Sequence, residues 1–135
     1  MKRNYFDLFS KPNSQKELSF GNQSLIGTDD DDIITGGDGN DTLYGGEGAD
    51  TLYGGSDSDI FVLSYDYIAD IVKDFEDGVD IIGLDDSITF ESLVISNTDG
   101  HTSIADKYDG TIYMVLENIT ASDITADDFI TLEVV

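Results

Sequence analysis

Cysteine and tryptophan are absent from this chain of 135 residues, and proline occurs once. Without cysteine the protein can form no disulfide, no zinc–thiolate site and no cysteine nucleophile. Basic residues are also scarce, since six Lys and Arg face 29 Asp and Glu, for a formal net charge of −23. This charge argues against nucleic acid and anionic membrane surfaces as partners, because both need basic patches.

Long hydrophobic runs are missing as well. No apolar run of about 7–15 residues follows Lys2 and Arg3, so the sequence predicts no cleaved secretory leader. No run approaches the roughly 20 apolar residues that a membrane-spanning helix needs. We therefore expect one soluble domain, whose export would need a route without a cleaved leader.

The motifs of common hydrolytic enzymes are absent too. The chain has no HExxH pattern for a zinc site and no GxSxG pattern for a serine nucleophile. His101 is the only histidine and lies beside a predicted hairpin turn, so a surface position is expected for it. Pairs of acids are so abundant that they indicate no particular chemistry, and we expect no enzymatic activity.

The excess of acidic residues leaves two interpretations. Strongly acidic chains often fail to collapse and stay disordered. The Leu, Ile, Val and Phe residues are too many and too regularly placed for disorder throughout, which favours neutralisation by bound cations. A chain that is disordered without a cation and ordered with it would satisfy both observations.

A repeat of nine residues occupies the central part of the chain. The sequence reads GGDGNDTLY at 36–44, GGEGADTLY at 45–53 and GGSDSDIFV at 54–62, without insertions. One period earlier, GTDDDDIIT at 27–35 is a looser copy, and residues 18–26 resemble a degenerate first copy. Strict periodicity of this kind indicates a stacked repeat architecture rather than an acidic linker.

Each nonapeptide combines a turn at positions one to six with a short strand at positions seven to nine. The double glycine permits positive φ and leaves carbonyl oxygens free to point into the turn. Position six adds a carboxylate, at Asp32, Asp41, Asp50 and Asp59. A shell made only of oxygen suits calcium, with its six to eight ligands at about 2.3–2.6 Å, better than magnesium.

The apolar residue at position eight is predicted to face the core. These residues are Ile34, Leu43, Leu52 and Phe61. Strands this short must stack, about 4.8 Å apart, to pair their backbones. If two nonapeptides form one full coil, Asp32 lies over Asp50 and Asp41 over Asp59. Stacked carboxylates repel each other unless a cation lies between the turns, so the segment should be largely unfolded without calcium and ordered with it.

The segment resembles the RTX (repeats-in-toxin) family, whose hemolysin-type repeat has the consensus GGxGxDxUx. The match is full at 36–44 and 45–53, whereas 54–62 departs at Asp57 and 27–35 departs further. The resemblance implies that calcium is held by the position-six carboxylate and by main-chain oxygens from positions including two and four. The implied ligands are Gly37, Gly39, Asp41, Gly46, Gly48, Asp50, Gly55, Asp57 and Asp59, with Thr28, Asp30 and Asp32 as weaker candidates.

The resemblance continues beyond the tandem copies. Residues 70–75, followed by Gly78, Asp80 and Leu84, are similar to the segment that closes such a roll. Asp66 and Asp70 would then complete the last ion site. The pairing of the four repeats suggests roughly two to five calcium ions in all.

Three regions are expected. Residues 1–17 form a lead-in segment, for which a short helix capping the roll is one form, with Tyr5, Phe6, Leu8 and Phe9 as its packing residues. Residues 18–62 form the repeats, and residues 63–135 form a C-terminal cap. In the cap, alternating apolar residues broken by Asp-Gly pairs at 99–100 and 109–110 predict an antiparallel meander. The predicted fold class is all-β, a parallel β-roll followed by a small antiparallel β cap.

The resemblance also implies a function. RTX proteins are secreted through a one-step type I channel driven by an ABC transporter, with an uncleaved C-terminal signal that residues 133–135 loosely resemble. The implied role is a calcium-binding module that folds in extracellular calcium. The alternative is a calcium-dependent module that binds a polysaccharide or a cell surface, or that self-assembles. Tyr44 and Tyr53 should lie on opposite sheets and so cannot form one sugar-binding platform.

Overall fold

The computed structural model describes residues 21–63 and 65–132 in full, together with the backbone of Tyr5–Asp7 and Gln15–Glu17. Regular structure in this part of the chain consists of strands and three short 3-10 helices. None of its helices is long and apolar enough to cross a membrane. The all-β class predicted from the sequence is therefore confirmed.

The strands of the described residues are short, mostly of three to six residues, and are numbered in chain order. They are β1 (Tyr5–Asp7), β2 (Gln15–Glu17), β3 (Ser24–Ile26), β4 (Ile33–Gly37), β5 (Thr42–Tyr44), β6 (Thr51–Gly55), β7 (Ile60–Val62), β8 (Asp70–Val72), β9 (Ile81–Leu84), β10 (Leu93–Thr98), β11 (His101–Asp106), β12 (Ile112–Leu116) and β13 (Phe129–Thr131). The 3-10 helices are Phe90–Ser92, Ala121–Asp123 and Ala126–Asp128.

Successive strands of the roll alternate between two sheets. Sheet A has the order β1-β3-β5-β7-β9-β13, and sheet B has the order β10-β11-β12-β8-β6-β4-β2. Neighbours within the roll run parallel, and their register places Ile33 beside Thr51 and Thr42 beside Ile60. One coil of the tandem repeats therefore contains two nonapeptides, as the sequence predicted.

A column of apolar side chains fills the space between the two sheets. The position-eight residues Ile34, Leu43, Leu52 and Phe61 are completely buried, and Leu25 from the degenerate first copy continues the column. Each is the second residue of its strand, where the strand pleat points it inward. Burial of such a side chain contributes about 1.5–3 kcal/mol, so the column stabilises every coil.

The N-terminal segment adds strands to the roll, in contrast to the short helix expected as one form of it. Tyr5–Asp7 pairs in parallel with β3, and Gln15–Glu17 pairs in parallel with β4. A helix is therefore wrong for these two stretches. The physical reason is that β3 and β4 would otherwise present unpaired backbone groups, which an added strand satisfies. The other expected members of that helix, Leu8 and Phe9, lie outside the described residues.

The antiparallel meander is present, and it continues sheet B instead of forming a separate layer. Strands β10, β11 and β12 pair antiparallel, and β12 then pairs in parallel with β8 of the roll. The first hairpin turns at Asp99 and Gly100, both with positive φ. After two of the 3-10 helices, β13 returns to pair in parallel with β9 in sheet A. The cap therefore extends both sheets.

Candidate metal centre

The position-six aspartates stack in two columns along the edges of the roll. In one column the backbone N–H of Asp32 donates to Asp50 Oδ1 at 2.8 Å, and the N–H of Asp50 donates to Asp70 Oδ1 at 3.0 Å. The other column runs from Gln23 through Asp41 and Asp59 to Asp80, with three N–H···Oδ1 distances of 2.9 Å. Each carboxylate thus binds the turn one coil before its own.

Side chains at position five accept hydrogen bonds from the turn one coil later than their own. Asn22 Oδ1 accepts from the N–H of Asn40 at 2.8 Å, and Asn40 Oδ1 accepts from the N–H of Ser58 at 2.9 Å. In the other column, Asp31 Oδ1 accepts from the N–H of Ala49 at 2.8 Å. These bonds fix the spacing of stacked turns from both sides.

The second carboxylate oxygen of three stacked aspartates is buried and has no hydrogen-bond donor. These atoms are Oδ2 of Asp41, Asp50 and Asp59, and the same is true of Oδ1 of Asp66. The three aspartate side chains are about 1% exposed, so water cannot satisfy them. A buried carboxylate oxygen without a donor is costly, and a bound cation would remove that cost.

Main-chain oxygens face the same gaps between turns. A Cβ placed on Gly46 would collide with the carbonyl oxygen of Thr28, and one on Gly48 would lie 2.8 Å from the carbonyl oxygen of Asp30. The carbonyl oxygen of Gly37 faces Gly55 in the same way. The carbonyl groups of Thr28, Asp30 and Gly37 therefore point at the turn one coil later, where a glycine leaves room for each of them.

These oxygens form a set suited to a hard cation. Within the described ranges, no group of three or more His, Asp or Glu side chains converges on one point. A cation in a gap between turns would therefore rely on main-chain carbonyl groups together with one or two carboxylates. Such a donor set fits calcium, which accepts neutral carbonyl ligands and irregular geometry, better than magnesium. The residues present thus fit the ion that the repeat pattern predicts.

Burial changes the acidity of the stacked aspartates. It raises the pKa of Asp41 to about 6 and that of Asp59 to about 7, in both cases against the lowering effect of the N–H that each accepts. Burial also raises the pKa of Asp50, which has Asp70 and Asp32 as charged neighbours. Without a cation, the charged form of these groups is disfavoured.

Three of the four tandem turns share one backbone conformation. Positions two and four have positive φ in turns 36–41, 45–50 and 54–59, including Asp57 with φ of 72°. The Asp57 side chain accepts from the N–H of Gly39 at 3.0 Å. Turn 27–32 lacks positive φ at these positions, so its backbone bends differently.

Asp66 and Asp70, the ligands predicted beyond the tandem copies, lie beside the last turns of the roll. Asp66 Oδ2 accepts from the N–H of Gly48 at 3.1 Å, and Asp70 is fully buried under Asp50. The structure therefore brings both predicted residues to the gap after turn 45–50.

Three residues that bind the stacked turns were not predicted as site residues. Gln23 and Asp80 occupy the column of Asp41, and Asp74 accepts from the N–H groups of Gly54 and Gly55 at 2.8 and 3.0 Å. A signal for Asp80 was available, because an Asp-Ile pair opens β9 as it opens β4, β7 and β8. The closing coil is longer than the tandem coils, and this longer spacing hid Asp80.

Other side chains singled out in the sequence have plain structural roles. His101 Nδ1 accepts from the backbone N–H of Asn118 at 3.0 Å, beside the hairpin turn. Tyr44 lies in β5 of sheet A and Tyr53 in β6 of sheet B, which confirms that they form no common platform.

Comparison with known proteins points to the same repeats. The family model of the RTX calcium-binding nonapeptide repeat, with four copies, matches residues 26–61. No curated protein sequence shows significant similarity to the chain.

Among solved structures, the fold is similar to the solution structure of the AlgE6R3 subunit from the Azotobacter vinelandii mannuronan C5-epimerase. The sequences are 25% identical, the TM-score is 0.67, and the match covers 91% of this chain and 81% of that one. A match over 91% of the chain extends well beyond the tandem copies.

Proposed function

Because this chain belongs to the RTX family of calcium-binding nonapeptide-repeat proteins, we propose that it is a secreted module that folds when it binds extracellular calcium. The bound calcium would supply positive charge between the stacked turns, next to carboxylates that the fold buries. The chain's own residues position the carbonyl and carboxylate oxygens and exclude water from them. The proposal assigns no catalytic step to the chain.

The observation that carries the proposal is the set of buried carboxylate oxygens without a donor. Asp41, Asp50 and Asp59 each bind a neighbouring turn through Oδ1 and leave Oδ2 in the interior of the column. A stable fold rarely tolerates several such atoms. Their cost in the metal-free state, and its removal by calcium, couple ion binding to folding.

Circular dichroism with and without calcium tests this proposal. The full chain should give a β-sheet spectrum and a cooperative thermal transition in millimolar calcium. In a chelator the repeat segment should lose most of its structure, and millimolar magnesium should restore less of it than calcium does. A chain that is equally folded in chelator would refute calcium-dependent folding.

A matched pair of variants separates the sites from general charge. Asp41→Asn removes a stacked carboxylate, whereas Asp86→Asn removes an exposed one outside the columns. Both variants remove one negative charge, so the net charge changes equally. The calcium concentration at half-folding should rise roughly tenfold for Asp41→Asn, about 1.4 kcal/mol, and change little for Asp86→Asn. Equal shifts would indicate a nonspecific charge effect.

Calcium-dependent folding also suits export by a type I ABC transporter. The acidic chain would stay unfolded where calcium is scarce and fold outside, where calcium is millimolar. Expression beside a type I transporter, with and without residues 127–135, tests this point. Secretion that depends on these residues supports the proposal, and equal export of both forms argues against a signal at this end.

A second candidate function is calcium-dependent binding of a polysaccharide. One observation favours it: a groove of about 610 Å³ on sheet A is lined by Tyr44, Tyr65, Val62 and the acids Asp66 and Asp85. Aromatic rings commonly stack on sugar faces, and carboxylates at the edge could be bridged to an acidic sugar by calcium. The structural relative is a subunit of an enzyme named for acting on mannuronan, an acidic polysaccharide.

Affinity electrophoresis in gels that contain mannuronan tests this candidate. Calcium should retard the wild-type chain, and Tyr65→Ala should abolish the retardation while leaving calcium-dependent folding intact. Tyr108→Ala, which removes another exposed tyrosine, one from the cap and outside the groove, serves as the control. Migration that the polymer does not alter would rule this candidate out.

A further inference from the structure

One of the four tandem turns satisfies its own carboxylate. The backbone N–H of Thr28 donates to Asp32 Oδ2 at 2.6 Å, and Thr28 Oγ1 donates to the same oxygen at 2.9 Å. Thr28 Oγ1 also accepts from the N–H of Asp30 at 3.1 Å. The threonine that replaces the second glycine of the repeat therefore closes the turn on itself.

Two observations divide the four copies in the same way. The turns with positive φ at positions two and four are those that end in Asp41, Asp50 and Asp59. The same three aspartates have a buried Oδ2 atom without a donor. Turn 27–32 differs in both respects, since its backbone lacks positive φ and Asp32 Oδ2 has two donors.

We propose that turn 27–32 is a metal-independent lock, in which Thr28 gives Asp32 the stabilisation that calcium gives the next three aspartates. The proposal rests on the calcium-binding function proposed above and specifies which carboxylates serve it. Asp32 contributes no carboxylate oxygen to an ion. The carbonyl groups of Thr28 and Asp30 still face turn 45–50 and remain available to the ion beside Asp50.

The locked turn has a defined place in the assembly of the roll. The N–H of Asp32 donates to Asp50 Oδ1, so a turn that is ordered without calcium presents this donor to the next coil of its column. Four repeat copies therefore do not give four equivalent ion sites. The stoichiometry follows instead from Asp41, Asp50 and Asp59, together with the closing pair Asp66 and Asp70.

Isothermal titration calorimetry of the full chain with calcium tests the assignment. Asp50→Asn should lower the number of bound ions per chain by one. Asp32→Asn, the same change one coil earlier, should leave that number equal to the wild-type value. Loss of an ion in both variants would show that Asp32 is an ordinary ligand and would overturn the lock.

Amide hydrogen exchange of the wild-type chain gives a test that needs no variant and no ion uptake. In chelator, after each rate is divided by the intrinsic rate of an unstructured amide of the same sequence, the amide of Thr28 should be at least several-fold better protected than that of Gly37, which holds the same position in the next turn. Similar protection of the two amides would overturn the lock. A wild-type chain that takes up no calcium in the calorimeter would instead refute the proposed function, and the exchange ratio would still decide on Thr28.

Discussion

The roll and the cap use aspartate in opposite ways. In the roll, Asp59 is buried, accepts one N–H through Oδ1 and has no donor for Oδ2, so burial raises its pKa to about 7. In the cap, Asp106 accepts from the N–H groups of Asp109 and Tyr108 and from the Tyr113 hydroxyl, which together lower its pKa.

The difference shows that the chain supplies enough hydrogen-bond donors for the carboxylates of the cap but not for those of the roll. The hairpins of the cap satisfy their carboxylates with their own donors, as ordinary folded domains do. The tandem turns of the roll leave buried carboxylate oxygens without a donor from the chain. Calcium dependence should accordingly be concentrated in the roll and nearly absent from the cap.

The largest effect is expected from adding one methyl group to a roll turn. In Gly45→Ala the new Cβ would collide with the Asp50 carboxylate, with Asp50 Cγ at 2.7 Å and Oδ2 closer still. We expect a loss of about 3 kcal/mol in unfolding free energy in calcium, measured by urea denaturation.

The same change in the cap provides the control. Gly100 has φ of 83° and open space around its Cα, so Gly100→Ala should cost only the strain of a left-handed residue, about 1 kcal/mol. Equal losses at Gly45 and Gly100 would mean that the turns are not closely packed around the carboxylates.

Neutralising one aspartate in each region should give effects that differ in their calcium dependence. Asp59→Asn keeps an acceptor for the N–H of Asp41 but removes a buried charge. It should stabilise the metal-free chain and weaken calcium binding roughly tenfold, about 1.4 kcal/mol. Asp106→Asn should destabilise the chain to the same extent with and without calcium. Thermal melts of both variants in calcium and in chelator measure this difference. If calcium changed the effect of both substitutions equally, the contrast between roll and cap would be contradicted.

Acidification should stabilise the metal-free roll. The folded-state pKa values of Asp41 and Asp59, about 6 and 7, lie above the unfolded value of 3.8. The stability that protonation contributes is therefore complete below about pH 4 and is lost as the pH rises through 6 to 7. Asp106 has a lowered pKa, so the stability that its charged form contributes to the cap is lost only at more acidic pH.

Calcium-stripped protein, whose repeat segment should be mostly unfolded at about pH 7.5, should accordingly regain β-sheet structure at about pH 5, because protonation favours the folded roll by about 1 kcal/mol. Calcium affinity should fall as the pH is lowered from about 7.5 to about 5, because protons compete for the carboxylates. Circular dichroism gives the first quantity and calorimetric titration the second. A metal-free chain that loses β-sheet signal on acidification would contradict the burial of these groups.

The smallest effect concerns left-handed residues that are not glycine. Asp57 in the roll has φ of 72° and Asp99 in the cap has φ of 53°, and each conformation costs about 1 kcal/mol or less. Asp99→Gly should raise stability by roughly 0.5 kcal/mol. Asp57→Gly should gain less, because Asp57 also accepts from the N–H of Gly39. Denaturation in calcium distinguishes the two, and a larger gain at Asp57 would mean that this hydrogen bond contributes little.

Much of the fold could be predicted from periodicity. The nonapeptide spacing determined the alternation between sheets, and the apolar position eight identified Ile34, Leu43, Leu52 and Phe61 as the core. The Asp-Gly pairs located the cap's turns because few residues other than glycine, aspartate and asparagine adopt positive φ easily. The N-terminal strands were not predictable, since such short strands form only when a neighbouring edge is available.

The site was only partly predictable. Spacing placed Asp41 over Asp59, but it could not reveal that Thr28 bonds Asp32, because that contact depends on the local bend of one atypical turn. Asp80 and Asp74 escaped because the closing coil is longer than the tandem coils, so the nine-residue spacing does not reach them, although the Asp80-Ile81 pair was a signal for the first of them. Identification of the calcium ligands remains a prediction.

Alternation of strands between two sheets also limits how such a chain can grow. An insertion of two nonapeptides would add one coil and return each later strand to its original sheet and each aspartate to its original column. An insertion of a single nonapeptide would move every later strand to the opposite sheet, so that the cap would have to be attached to sheet A. Length variation in this architecture is therefore expected in pairs of repeats, with single copies tolerated only where the cap changes as well.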